Sequence, residues 1–197
     1  MDVISKPTHI IMQLYSSNDT LSNALKQPWE IMTCRNDWAK ICIDLTSVVT
    51  FVNEKGFIHG NINPFSVLIC KRWISSGEYI PKLTDFGNAT SILGIETNNN
   101  NSWELCKKAE SSLTSGCCDH VAPEIKHGDN LSIKTDVYGL GYCLHQIINT
   151  AKLLHPSLKF WTAQSLKEKP KKRPPVSKII ERLELIYEDG HFNDTVL

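Results

Sequence analysis

The stretch from Gly56 to Gly87, GFIHGNINPFSVLICKRWISSGEYIPKLTDFG, constrains the fold more than any other part of the chain. It holds two short apolar strand candidates, Val67-Leu68-Ile69 and Tyr79 to Leu83, each bordering a polar turn. His59-Gly60-Asn61 stands just before the first strand and Asp85-Phe86-Gly87 just after the second. Short apolar runs bounded by turn residues read as strands. A pair of strands with a polar loop at each outer end is therefore expected. The connection between them, Cys70 to Pro81, is longer than a tight hairpin needs and belongs on the surface.

Composition narrows the class. At 197 residues with 41% apolar content, the chain suits one domain, 1–197, with a real core. Its 21 basic and 21 acidic side chains cancel, so no bulk field favours nucleic acid or an anionic membrane as partner. The local basic run Lys167 to Arg173 (KEKPKKR) reads as a solvated helix end. No apolar run approaches the ~20 residues that span a bilayer. The N-terminal MDVISKPTHIIMQL lacks the pattern of a secretory signal. The cysteines, Cys34, Cys42, Cys70, Cys106, Cys117, Cys118 and Cys143, are odd in number and show no C-x-x-C spacing. Reduced thiols and a cytoplasmic location are expected.

Along the chain, His9 to Leu14 is a short apolar run ended by the turn formers Ser16-Ser17-Asn18-Asp19. Thr20 is placed to cap a short helix through Leu21 and Leu25. Asn36 to Glu54 carries Trp38, Ile41, Leu45, Val48, Val49 and Val52 at helical spacing, and Lys55-Gly56 ends that helix. Between Asp85 and Glu124 the run Asn98 to Asn101 reads as a loop. A helix from Ser132 through Ile148 is apolar nearly all round and belongs inside the core. Pro156 to Leu166 is the next helix. The last carries Val176, Ile179, Ile180, Leu183 and Ile186.

Taken together, H-G-N (59–61), D-F-G (85–87), Gly116-Cys117, Ala122-Pro123-Glu124, the helix start Lys134-Thr135-Asp136-Val137-Tyr138 and Lys172-Arg173-Pro174 resemble the landmarks of the protein kinase large lobe, in order. The resemblance covers nearly all of residues 10–188. It implies a mainly α fold with a small β-hairpin, the kinase large lobe, with the small lobe absent. It divides the chain into a hinge strand (about 9–14), a catalytic-loop-like segment (57–69), an activation-segment-like stretch (85–124) and a helical core (132–188). The further helix and loops that the family usually places after the core helix, a surface for substrate and partner docking, have almost no room between Asn149 and Pro156.

The resemblance also assigns roles. Met12 falls at the gatekeeper and Gln13 and Leu14 on the hinge that borders an adenine. Asn61 stands at the position of the catalytic aspartate, Gly60 at that of the arginine, and Ser66 at that of the asparagine that binds the second metal. Asn63 falls where Ser/Thr kinases have a lysine. Asp85 keeps the metal-binding carboxylate. His59 and Phe86 are structural and pack together. Asp136 fixes the catalytic loop through its backbone N–H groups, and Arg173 pairs with Glu124 in a buried ion pair. Cys117 replaces a threonine and His120 a tyrosine.

An asparagine amide has no basic lone pair at neutral pH, and loss of a general base costs ~10²–10⁴-fold. Together with the changes at Ser66, Cys117 and the small lobe, this implies a catalytically inactive pseudokinase that signals by protein binding or allosteric scaffolding. No cofactor is expected on that reading. The alternative is a truncated or divergent Ser/Thr-type kinase using Mg-ATP; Pro64 leans towards the Ser/Thr pattern. A protein partner or self-association through the exposed hinge edge is expected, since an unpaired edge strand is a template for another chain.

Overall fold

Apolar side chains at helical spacing decide where the core of this protein sits. The structure, a computed structural model, describes residues 19–28, 34–71, 78–94 and 118–190. The hinge reading (9–14, with Met12, Gln13 and Leu14), the asparagine run 98–101 and Cys117 lie outside them.

In chain order the elements are β1 (Asp19–Thr20), α1 (Leu21–Ala24), α2 (Arg35–Glu54), β2 (Phe57–Ile58), β3 (Val67–Lys71), β4 (Tyr79–Leu83) and β5 (Thr90–Ser91). The helices α3 (Pro123–Lys126), α4 (Ile133–Thr150), α5 (Pro156–Ser165) and α6 (Val176–Glu188) follow. Single 3₁₀ turns cover Phe86–Asn88, Ile92–Gly94 and Pro170–Lys172. The architecture is mainly α with small antiparallel sheets, the class expected from the sequence.

The periodic positions are the buried ones. Trp38, Ile41, Leu45 and Val49 of α2 pack with Leu140, Leu144 and Ile147 of α4 and with Ile179 and Leu183 of α6. Val48, Val52 and Ile180 stay only partly buried. Burying a Leu or Ile side chain contributes roughly 1.5–3 kcal/mol, so this stripe contact dominates the fold. Cys42 and Cys143 lie inside it, fully buried, and burial pushes both thiols up. Five free cysteines fall among the described residues.

Helix ends follow local chemistry. Thr20 caps α1, its Oγ1 accepting from Asn23 N–H at 3.2 Å, and Gly56, at φ 81°, follows the end of α2. At the start of α4 the Ser132 N–H donates to Thr135 Oγ1 at 3.1 Å, closing the first turn.

Three readings change. Asp19 is not part of a turn: with Thr20 it forms β1 and pairs Ile69 and Leu68 of β3, giving a sheet of order β1-β3-β4. The β3–β4 ladder extends to Lys71↔Tyr79, so pairing satisfies backbone groups of Cys70 and Lys71 that the sequence pattern places in the connection. The run Lys167–Arg173 is not a helix end. Helix α5 stops at Ser165, and the run links it to the 3₁₀ turn at Pro170–Lys172. Its lysines face solvent, but Arg173 is only 2% exposed.

Candidate functional site

Helix α4 holds the loop that follows α2. Asp136, in its first turn, is 1% exposed. Its Oδ2 accepts from the His59 backbone N–H (2.8 Å) and the Asn53 side-chain amide (2.9 Å), and its Oδ1 accepts from the Gly60 N–H (2.9 Å). Burial pushes this carboxyl above its usual range, while the donors from Gly60, His59 and Asn53 work against it. Further along the same helix, Gly139 lies against the loop backbone. A Cβ there would come within 2.5 Å of the Ile62 carbonyl oxygen, so the close approach requires glycine.

His59 ties the two outer loops together. It is fully buried; its Nδ1 accepts from the Asn61 N–H at 3.3 Å, which leaves Nε2 to donate to the Thr84 carbonyl at 2.8 Å. Its ring meets Phe86 edge-on, centroids 4.7 Å apart.

Above this base lies a connected set of polar groups. The Asn61 side chain donates through Nδ2 to Asp85 Oδ2 at 3.4 Å, and its Oδ1 accepts from Asn63 Nδ2 at 3.1 Å. Asn63 Oδ1 in turn accepts from the N–H groups of Phe65 (2.8 Å) and Ser66 (3.3 Å). Ser66 Oγ accepts from the Asn63 N–H at 3.0 Å and lies 3.1 and 3.0 Å from the carbonyls of Asn61 and Asn63. At 2% exposure that hydroxyl is committed to the loop backbone. Asp85 is exposed and sits in the left-handed region, φ 61° and ψ 56°. The structure thus brings Asn61 and Asp85 together and turns Ser66 away into the loop. Asn63 and Asn53 were not anticipated in these roles. The Asn63-Pro64 dipeptide, a turn-initiating pair, was the available signal for the first.

At the start of α4, beside Lys134 and Thr135, Glu124 and Arg173 form a two-pronged pair, each contact 2.6 Å, with both residues buried. A small cavity of about 20 Å³ lies between the loop and α3, bordered by Gly60, Asn61, Asn88, His120 and Thr135. It has room for about one water. Among the described residues no group of three or more His, Cys, Asp or Glu side chains is placed to hold a metal ion. No described helix is long and apolar enough to cross a membrane.

Gly60 tests how firmly this loop is shaped. It adopts φ +77°, and a Cβ would lie 2.9 Å from Leu131 Cδ1 and 3.1 Å from the Asn88 carbonyl oxygen. Gly60→Arg is therefore expected to destabilise the protein by roughly 1–3 kcal/mol through backbone strain and crowding. Urea unfolding measures this, and a variant as stable as the parent would contradict the loop geometry.

A mainly helical domain, with a short β-hairpin setting an H-G-N loop against a D-F-G turn over a buried aspartate, defines a kinase-like fold. A family model for protein tyrosine and serine/threonine kinases matches residues 1–177, and the chain belongs to that family. It is 26% identical over 159 residues to a serine/threonine-protein kinase-like protein of Arabidopsis thaliana, covering 78% of this chain and 41% of that one. The mouse proto-oncogene serine/threonine-protein kinase mos is 26% identical over 147 residues, covering 70% of this chain and 38% of mos. The yeast serine/threonine-protein kinase PKH2 is 27% identical over 143 residues, 71% of this chain and 12% of PKH2. The chain thus spans about two-fifths or less of the length of these relatives.

Proposed function

We propose that this kinase-family chain is a pseudokinase, acting through protein binding or scaffolding instead of phosphoryl transfer. The supporting observation is the state of Asn61. Its amide has no basic lone pair at neutral pH, so the group in the base position cannot take a hydroxyl proton, and its bonds from Asn63 and to Asp85 give it a structural use in the loop instead. Phosphoryl transfer depends on positioning and charge neutralisation by metal ions. Among the described residues of this loop cluster the donor set does not fit a pair of ions, because the Ser66 hydroxyl is buried in the loop and only Asp85 offers an exposed carboxylate there. Asp85 would suit one Mg²⁺. A protein partner or second copy at the hinge edge and a cytoplasmic location belong to the same proposal. So do the structural roles of His59, Phe86, Asp136, Glu124 and Arg173. Roles for Met12, Gln13 and Leu14 beside an adenine belong instead to the competing Mg-ATP reading.

The competing reading is a divergent Ser/Thr-type kinase using Mg-ATP. It is favoured by Asp85 being presented to solvent and by the Ser/Thr kinase relatives. Radiolabelled Mg-ATP with generic substrates separates the two. No phosphate incorporation above an Asp85→Ala control is expected, and Asn61→Asp alone is not expected to restore it. Turnover by the parent chain that Asp85→Ala abolishes would establish the kinase reading. Nucleotide binding is read separately by melting: ligand at 100 times Kd would add ~2.7 kcal/mol of stability, and no shift at millimolar Mg-ATP is expected.

A further inference from the structure

We propose that the outer face of α5 and α6 is an interface between two copies of this chain, packed antiparallel about a two-fold axis near Leu185. This goes beyond the kinase-site reading and does not rest on it. The two helices run antiparallel. Ser157, at the start of α5, borders a groove with Ile186 and Asp189 at the end of α6, whereas Trp161 lies under Lys178, Nζ 5.8 Å from the ring centroid. The groove encloses about 360 Å³, and its floor includes Trp161, Leu185 and Ile186. That is space for about two apolar side chains. Leu185 is 44% exposed, and beside the groove Phe160, edge-on to Trp161, is 53% exposed. An apolar strip of this kind on a helix face calls for an occupant.

Charge identifies that occupant. Lys178, Arg182, Leu185 and Asp189 stand at i, i+4, i+7 and i+11, one stripe of α6, and the charge along it runs from positive through apolar to negative. Arg182 and Asp189 are about 10 Å apart along the axis. A second α6 laid antiparallel over the first sets Arg182 against the other copy's Asp189 twice, with the two exposed Leu185 side chains meeting between them. A two-fold contact must be self-complementary in this way. Glu181 flanks the stripe, its carboxylate 4.0 Å from Arg182 of its own chain, and leaves the guanidinium exposed. The face is about 20 Å long and two helices wide. That is roughly 400 Å² per partner, about half of a standard interface's ~800 Å² and in the weak, transient class, so dissociation no tighter than the micromolar range is expected.

Sedimentation or light scattering across a concentration series tests this. The parent chain is expected to pass from monomer to dimer over about 1–100 µM. Arg182→Glu, Asp189→Arg and Leu185→Asp should each weaken association at least tenfold, with melting unchanged because these side chains are exposed. Two further samples are specific to the antiparallel arrangement. The Arg182→Glu/Asp189→Arg double variant should dimerise again. An equimolar mixture of the two single charge variants should form a heterodimer, since one chain then presents negative charge at both positions and the other positive. A parent chain that stays monomeric throughout overturns the proposal. So does a dimer indifferent to all three single substitutions, or a mixture that remains monomeric.

Discussion

An Arg173→Ala variant is expected to lose about 3–5 kcal/mol of stability. That is a large share of the ~5–15 kcal/mol available to a domain. The guanidinium is held from every side. Nη1 and Nη2 donate to Glu124 Oε1 and Oε2 at 2.6 Å, Nη1 also to the Lys134 carbonyl (2.8 Å), Nη2 to the Glu168 carbonyl (3.0 Å) and Nε to the Lys167 carbonyl (2.7 Å). The Tyr138 ring covers it at 4.8 Å. Removing it leaves the Glu124 carboxylate buried without its countercharge and strands three carbonyls. Lys134 cannot take over. Its Nζ already donates to the Arg173 carbonyl at 2.7 Å, and burial and the neighbouring guanidinium hold its pKa down. Arg173→Lys should recover little, because one ammonium cannot serve five directions. Glu124→Leu added to Arg173→Ala should recover part of the loss by removing the unpaired charge, but not the carbonyls' share. Urea unfolding measures all three, and a loss below about 1 kcal/mol for Arg173→Ala would contradict this account.

That pair marks the boundary of what the sequence makes legible. Helices α2, α4 and α6 are visible in it because a repeating apolar stripe is a local signal: Val176, Ile179, Leu183 and Ile186 are the buried residues of α6. Strands β3 and β4 are visible for the same reason. The two-residue ladders are not. Phe57↔Ser91 and Ile58↔Thr90 are pairings between distant segments too short to show any period, and β1 reads as a turn because Asp19 is a turn former until it meets Ile69. The apposition of Glu124 and Arg173, 49 residues apart, comes from resemblance and not from any local pattern. The carbonyls of Lys134, Lys167 and Glu168 that complete it carry no side-chain identity at all.

Within the site the same division holds. Asn61 and Asp85 could be placed by motif, but the motif treats Asn61 as a lost base and is silent on what the amide does instead. Its bonds to Asn63 and Asp85 depend on a loop conformation that follows from Asn63 Oδ1 capping the N–H groups of Phe65 and Ser66. A side chain binding its own backbone two residues on is an Asx turn, and the Asn-Pro pair signals a turn without saying which side chains it will gather.

Asp136→Ala is expected to cost about 3 kcal/mol or more and to loosen the loop at residues 57–63. The His59 and Gly60 N–H groups and the Asn53 amide all donate to this carboxylate. An orphaned buried donor costs ~1–3 kcal/mol, more where its partner was charged. Water entering the space left by the side chain could meet some of these donors, which is why the expected loss is below the sum of three. Asp136→Asn should fall between Ala and the parent. Its oxygen can serve His59 and Asn53, but its NH₂ then faces the Gly60 N–H, donor against donor. Melting gives the order of stabilities, and amide hydrogen exchange gives the location. Exchange at His59 and Gly60 should accelerate far more than exchange in α6, which makes no hydrogen bond to this acceptor. Equal acceleration in both places would mean that Asp136 supports the fold as a whole and does not specifically shape the loop. In the expected outcome the loop's form follows from one buried carboxylate on α4, and the Asn61–Asp85 contact is kept or lost with it.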